Sequence, residues 1–317
     1  DKVMDKVNNA PPIRRALFNW ALGVGRKSYP QELAGKAPGG FSYGLANKLV
    51  LSKVREALGG SLRFCVSGGA PLPLFTNEFF HSIGIRILEG YGLTETSPVI
   101  SVNGFSGGKT RLGTVGQVIS NVEAKIAEDG ELCVKGPSVM KGYWNLPDKT
   151  AEVFDDDGFF LTGDIAEIDG DGFIRITDRK KDLIVTAGGK NIAPQPIEAE
   201  LKRSGLVDNA VIIGDRRPYL VVLLSPNTEA LEAWAETEGI SYTSTEEITR
   251  HPKLAEAFAA VVETTNENLA SYEQIKKHSV LPLMLSIEDG TLTPTLKVKR
   301  RVVEQQYLDL IESLYEG

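Results

Sequence analysis

The run Leu62-Arg63-Phe64-Cys65-Val66, the turn Ser67-Gly68-Gly69-Ala70-Pro71, a helix-prone segment from Leu74 to Ser82 and then Ile85-Arg86-Ile87-Leu88 decide the fold class. Two short apolar runs bracket a glycine-rich turn and a helical segment. Strand, turn, helix, strand is the pattern of a layered α/β sheet. Upstream, residues 1 to about 25 read as a helix ending near Gly23-Val24-Gly25. A Gly/Pro-rich loop through Pro38-Gly39-Gly40 leads to a helix from about Leu45 to Leu58.

Downstream of Gly113 the texture changes to hairpins. Val122 to Ile126 and Glu131 to Lys135 flank Asp129-Gly130, and Asp164 to Ile168 and Phe173 to Ile176 flank Asp169-Gly170-Asp171-Gly172. Asp-Gly pairs supply the positive φ that tight turns need, so an antiparallel, barrel-like region is expected here. Past Arg179-Lys180-Lys181-Asp182 the pattern shifts again. Pro194 to Arg203 is a helix with Pro196 near its first turn, Val207 to Ile213 and Tyr219 to Leu224 are strands, and helices follow near Thr228 to Glu236 and Pro252 to Leu269. A small α+β domain from about residue 182 fits this order.

The 317 residues suggest roughly two domains. Apolar content of 42% and charged content of 24% suit a globular chain with a sizeable core. The net charge of −7, with both signs interspersed, argues against a nucleic-acid partner. No stretch approaches the roughly 18 apolar residues that span a bilayer. Asp1-Lys2-Val3-Met4 lacks a signal-peptide pattern, and a cytoplasmic location is expected. The absence of an initiating Met leads to the expectation that sequence precedes Asp1. Cys65 and Cys133 sit in apolar strand-like runs and read as buried thiols in a reducing compartment.

Several segments bear chemistry, and each has a plainer reading beside it. Gly68, Gly69 and Ala70 follow a buried strand, where glycine lets a flat ligand approach the backbone; a tight turn would look the same. In Glu89-Gly90-Tyr91-Gly92-Leu93-Thr94-Glu95-Thr96, Tyr91 could lie on an adenine face and Thr94 could bond a phosphate oxygen. Glu95 is a hard oxygen ligand suited to Mg²⁺. A solvated loop with a packed tyrosine is the alternative. Asp164, after Phe159-Phe160, could accept both ribose hydroxyls or make an Asx turn. Arg179 offers donors to a ribose or phosphate, or belongs to a surface charge run. Gly188-Gly189, in Thr186-Ala187-Gly188-Gly189-Lys190-Asn191, lacks the Gly-Lys-Ser/Thr ending of a Walker loop and reads as a narrow backbone edge. Lys297, in Thr293-Pro294-Thr295-Leu296-Lys297-Val298-Lys299-Arg300, could neutralise charge on a reacting carboxylate and α-phosphate; a basic helix start would also explain it.

Taken in order, these segments resemble the adenylate-forming superfamily of acyl-CoA synthetases, luciferases and adenylation domains. The closest resemblance is to bacterial long-chain fatty-acid–CoA ligases, chiefly through Leu292-Thr293-Pro294-Thr295-Leu296-Lys297-Val298-Lys299-Arg300. It covers essentially the whole chain. The fold it implies is the remainder of a large layered α/β domain with an antiparallel barrel-like region (residues 1–180), plus a small mobile C-terminal α+β lid domain (residues 181–317). The activity it implies has two steps. ATP with Mg²⁺ and a fatty acid give an acyl-adenylate and pyrophosphate, and the thiol of coenzyme A then displaces AMP.

Carried over motif by motif, Gly68, Gly69 and Ala70 would hold the adenine and acyl-phosphate region, and Tyr91 within Tyr91-Gly92 would stack on adenine. Thr94 would contact the α-phosphate, Glu95 would bind the metal, and Asp164 and Arg179 would hold the ribose. Lys297 would catalyse adenylation, Lys181 would be the hinge of the small domain, and the Gly188-Gly189 edge would line the pantetheine path after rotation. One departure stands out: no segment between Asp1 and Gly90 matches the family's Thr/Ser/Gly-rich phosphate loop ending in Pro-Lys-Gly. That loop, with part of the acyl tunnel, is expected upstream of Asp1. Loading of a carrier-protein thiol is the sibling reading, and a non-catalytic nucleotide- or acyl-binding module is the reading from another class. Homodimerisation and peripheral contact with the inner face of the membrane stay open. The basic, aromatic stretch from Arg14-Arg15 to Trp20 reads as a packed amphipathic helix rather than an anchor.

Overall fold

The computed structural model describes residue 7, residues 10–105 and residues 107–316. It divides into two compact units, Asp1–Ile176 and Thr177–Gly317. The first unit opens with α1 (Pro12–Leu33). The segment α2 (Phe41–Ala46) runs through a π-helical turn, Asn47–Leu51, into α3 (Ser52–Ala57). There follow β1 (Phe64–Ser67), α4 (Leu74–Ser82), β2 (Arg86–Gly92), β3 (Val99–Val102) and β4 (Gln117–Val118). These strands form one sheet in the order β1-β2-β3-β4. The β1–β2 pair is parallel and connected by α4, whereas β2–β3 and β3–β4 are antiparallel.

The helix expected to end at Gly25 does not end there. It continues to Leu33, and the part expected from residue 1 up to residue 6 lies outside the described residues. Phe18, Ala21, Leu22, Gly25 and Ser28 are its buried residues, a spacing of three and four that makes one apolar stripe. Gly25 serves a close approach rather than a stop: a Cβ there would lie 1.9 Å from the Ser82 carbonyl oxygen of α4. Arg14 and Arg15 face outward from this stripe. The layer of α1 to α4 closes on the sheet through Leu51, Ile83 and Ile85, with the half-buried Cys65 against them. Cys65 was expected to be buried; of the two free thiols only Cys133 is.

A second sheet follows: β5 (Glu123–Ile126), β6 (Glu131–Lys135), β7 (Phe160–Ile168) and β8 (Ile174–Arg179), with α5 (Pro147–Ala151) between β6 and β7. Its order is β5-β6-β7-β8, and β5–β6 and β6–β7 are antiparallel. This is the curled half-barrel that the Asp-Gly turns anticipate. Leu132, Val134, Phe160 and Ile174 fill it, and Tyr91 and Leu93 pack against that core. The end of β2 is thereby braced on the second sheet.

In the second unit a short hairpin, β9 (Ile184–Val185) with β10 (Asn191–Ile192), precedes α6 (Pro194–Lys202). The strands β11 (Val207–Ile213) and β12 (Leu220–Pro226) follow, then α7 (Thr228–Glu238), α8 (Thr245–Thr249), α9 (Pro252–Asn266), β13 (Ile275–Val280), α10 (Arg300–Gln306) and α11 (Leu308–Tyr315). β12 is central, antiparallel to β11 and parallel to β13. Leu220, Val222 and Leu224 face one core with Phe258 of α9, while Val221 and Leu223 face another with Val303 and Ile311. Both faces of β12 are covered, which is why its sequence is an unbroken apolar run. Among the described residues no helix is long and apolar enough to cross a membrane.

Candidate active site

The parallel pair β1–β2 sets the first unit's site. Ser67 pairs with Glu89, so the turn after Ser67 lies beside Gly90 and Tyr91 at the carboxyl ends of parallel strands, the place where open α/β sheets bind ligands. A Cβ on Gly68 would lie 3.1 Å from the Gly90 carbonyl oxygen, and Gly69 has φ +79°. Gly68, Gly69 and Ala70 are all exposed. The turn is thus narrow, backbone-lined and open.

Tyr91 ends β2 with its hydroxyl donating to Asp164 Oδ2 at 2.5 Å. Asp164 is 3% exposed. Its part of β7 is tied to β6: the Gly163 amide donates to Glu131 Oε1 at 2.7 Å and the Thr162 hydroxyl to the Leu132 carbonyl at 2.7 Å. The structure therefore brings two sequence-predicted residues, 73 positions apart, into direct contact. Gly92 has no room for a side chain, since a Cβ there would lie 1.7 Å from the Pro98 carbonyl oxygen.

The chain then turns through a short 3₁₀ segment, Thr94–Thr96. Thr96 is fully buried, and its hydroxyl accepts from the Leu93 amide at 3.0 Å and donates to the Pro98 carbonyl at 2.5 Å. This leaves Thr94 exposed and Glu95 half-buried beside it. Glu95 is held from a loop that sequence reasoning missed. The Met140 amide donates to the Glu95 carbonyl at 2.7 Å, and the Tyr143 hydroxyl donates to Glu95 Oε1 at 3.0 Å. Burial first, then the Glu95 carboxylate, pushes the Tyr143 phenol above its ordinary value.

Among the described residues no three His, Cys, Asp or Glu side chains gather as a metal cage. A lone, tethered carboxylate suits a cation that takes one or two protein oxygens and fills its shell with water and phosphate, as Mg²⁺ does. Beneath the loop, Glu89 is buried and accepts from Asn77 Nδ2 at 2.8 Å, and burial pushes its carboxyl up to about 7. An acidic residue closing an apolar strand was the signal for it.

The second unit carries the remaining predicted residues at exposed positions. Arg179 ends β8 and Lys181 lies in the 3₁₀ turn Lys180–Asp182. The preceding Asp178 is 1% exposed and accepts from the Gln195 amide at 3.1 Å and from Gln195 Nε2 at 2.9 Å. It thereby satisfies a first-turn donor of α6 that the helix itself cannot pair. Gly188 and Gly189 form the tip of the β9–β10 hairpin, closed by the Gly189 amide on the Thr186 carbonyl at 2.8 Å. Lys297 is exposed and precedes α10 rather than starting it. Its turn closes through the Thr293 amide on the Lys297 carbonyl and the Leu296 amide on the Thr293 carbonyl, both 2.8 Å. Leu296 takes φ +59°. Arg300, at the base, pairs with Glu198 at 2.7 Å.

Comparison with known proteins bears on this arrangement. The AMP-binding enzyme family model matches residues 10–144, and the AMP-binding enzyme C-terminal domain model matches residues 181–317. The chain is 41% identical over 270 residues to the long-chain-fatty-acid–CoA ligase FadD15 of Mycobacterium bovis, covering 85% of this chain and 44% of that protein. It is 35% identical over 329 residues to the long-chain-fatty-acid–CoA ligase ACSBG2 of Xenopus laevis, covering 96% of this chain and 44% of that one. The chain thus spans about half the length of the curated relatives it matches. Among solved structures, the adenylation domain of a carboxylate reductase from Mycobacterium chelonae matches with a TM-score of 0.67 and 25% identity, over 94% of this chain and 45% of that one. A tyrosine near the carboxyl end of the parallel strand β2 bonded to an aspartate within β7, a tethered glutamate and two matching family models lead to one conclusion: the chain belongs to the AMP-binding, adenylate-forming enzyme family.

Proposed function

We propose that this chain is part of a long-chain fatty-acid–CoA ligase, which joins a fatty acid to AMP at the expense of ATP and then transfers the acyl group to coenzyme A. The contact between Tyr91 and Asp164 carries the reading. It fixes an aromatic face near the end of β2 beside a buried carboxylate of β7, the pair of surfaces an adenosine needs. Relatives named as long-chain fatty-acid–CoA ligases support the substrate class.

In this reading Gly68, Gly69 and Ala70 give a flat edge to the adenine and the acyl-phosphate. Tyr91 stacks on the base, with Gly92 keeping the strand end narrow. Asp164 and Arg179 accept from and donate to the ribose, and Thr94 meets the α-phosphate. Glu95 holds Mg²⁺, whose charge offsets that of the phosphates when bound. Lys297 brings an ammonium to the carboxylate and α-phosphate, where negative charge grows in the transition state. Residues 1–180 belong to the large domain and residues 181–317 form a lid that turns about Lys181. The Gly188-Gly189 edge then lines the pantetheine path. The start of the C-terminal family match at residue 181 supports that boundary.

The test is to give the complete encoded protein a long-chain fatty acid, ATP, Mg²⁺ and coenzyme A. Equal amounts of acyl-CoA, AMP and pyrophosphate are expected. Release of acyl-adenylate with no acyl-CoA would favour loading of a carrier-protein thiol instead.

A further inference from the structure

Beside the end of β2, which presents Tyr91, lies a small buried polar cluster. Asn77 and His81 of α4 and Glu89 of β2 are 1%, 2% and 7% exposed. Asn77 Nδ2 donates to Glu89 Oε1 at 2.8 Å, and the Gly113 amide also donates to the Glu89 carboxyl. Asn77 Oδ1, on the same amide, is buried with no hydrogen-bond partner. A buried acceptor left unmet is costly, and so is an ionised carboxylate buried without a cation.

The groups around Glu89 supply no such cation. From α4 come Asn77 and His81, and His81 Nε2 lies 3.4 Å from the Ile87 backbone. From β1 comes Ser67, the register partner of Glu89. Past β3, the Asn103 amide donates to the Glu89 main-chain carbonyl at 2.9 Å. In the loop that holds Gly113, the Arg111 guanidinium is engaged with Asp169 and Asp171. Among the described residues no ion pair reaches Glu89.

We propose that Glu89 is a positioning residue held as a neutral carboxylic acid, whose hydroxyl supplies the donor that Asn77 Oδ1 lacks. The resulting two-point acid–amide pair fixes the end of β2 and with it Tyr91; this last step rests on the nucleotide reading above. One proton thus meets both unmet demands. Burial raises the Glu89 carboxyl from 4.5 to about 7. The folded chain therefore keeps a proton that the unfolded chain has released. Stability from this group is complete below about 4.5, falls as pH rises through about 7, and is level above it.

The experiment compares the full chain with its Glu89→Gln variant, a permanently neutral side chain that can make the same two bonds. Unfolding is followed from about pH 5 to about pH 9, together with infrared difference spectra and AMP titrations. The wild type should lose stability relative to Glu89→Gln as pH rises to neutrality. It should show a protonated-carboxyl stretch at acid pH that the variant lacks. Its AMP affinity should fall relative to the variant's above neutrality, by up to about tenfold per pH unit. Because AMP itself titrates equally in both arms, the ratio isolates Glu89. Parallel stability curves with no carboxyl stretch would overturn the neutral acid. A stretch with parallel AMP curves would overturn the positioning role. No AMP binding by either protein would count against the nucleotide reading, while the stretch and the stability series still decide the protonation. If Glu89→Gln does not fold, Asn77→Asp replaces it. Two carboxyls sharing one proton should destabilise more steeply with rising pH than the wild type, and a flat response would refute the pairing.

Discussion

The Tyr91 hydroxyl donates to Asp164 Oδ2, and this bond holds the tyrosine ring of β2 against β7. Tyr91→Phe keeps the ring but removes one hydrogen bond to a buried carboxyl, at a cost of about 1 kcal/mol or more. The expected outcome is a lower urea midpoint together with weaker AMP binding, read by calorimetry. Unchanged binding would mean that the hydroxyl does not orient the ring. Tyr143→Phe tests the other tether. Freed from its 3.0 Å bond, the Glu95 carboxylate should lose its fixed direction. A raised Mg²⁺ requirement is expected, with little change in apparent AMP affinity. Leu296 carries a left-handed φ of +59° on an exposed turn. Leu296→Gly should remove roughly 1 kcal/mol of backbone strain, offset in part by glycine's greater freedom when unfolded. The contacts of single residues were only partly legible in the sequence. Tyr91, Glu95 and Asp164 stood out by their turns, but Tyr143 lies 48 positions from its partner and no local signal joins them.

At the scale of elements, periodicity was a good guide wherever one face is buried. The helix Leu74–Ser82 and the strand Val207–Ile213 fall where their apolar spacing puts them. It misled where glycine has two meanings. Gly23-Val24-Gly25 looks like a helix end, yet Gly25 lies inside α1 because α4 presses its Ser82 carbonyl against that spot. Gly25→Ala should therefore destabilise the chain by about 1–3 kcal/mol through overpacking, although alanine is the better helix former. Gly23→Ala, with open space around it, should be neutral or stabilising. Thermal melts of the two variants check this directly, and equal shifts would rule out close approach as the reason for Gly25. The strand Ile275–Val280 was missed because Lys276, Lys277 and His278 break its apolar run. It lies at the edge of its sheet, where only part of a strand needs burying.

For the whole molecule, the residues singled out in the sequence are divided between the two units. The first has Tyr91, Glu95 and Asp164, and the second presents Arg179 at the end of β8, the Gly188-Gly189 tip and Lys297, all exposed. Chain order made the succession of sheets partly readable: the hairpin texture past Gly113 leads into the second sheet, although β4 (Gln117–Val118) still belongs to the first. What spacing does not encode is which buried polar groups pair, such as Glu89 with Asn77 and Asp178 with Gln195 at the first turn of α6. Those depend on contacts between distant segments. The most direct measurement is a separation of the two half-reactions in the complete protein carrying Lys297→Ala. Adenylation, followed as fatty-acid-dependent exchange of pyrophosphate into ATP, should fall by about 10²–10³-fold, while acyl-adenylate supplied with coenzyme A is still converted to the thioester. Adenylation that survives the substitution, with only thioester formation lost, would contradict the assignment.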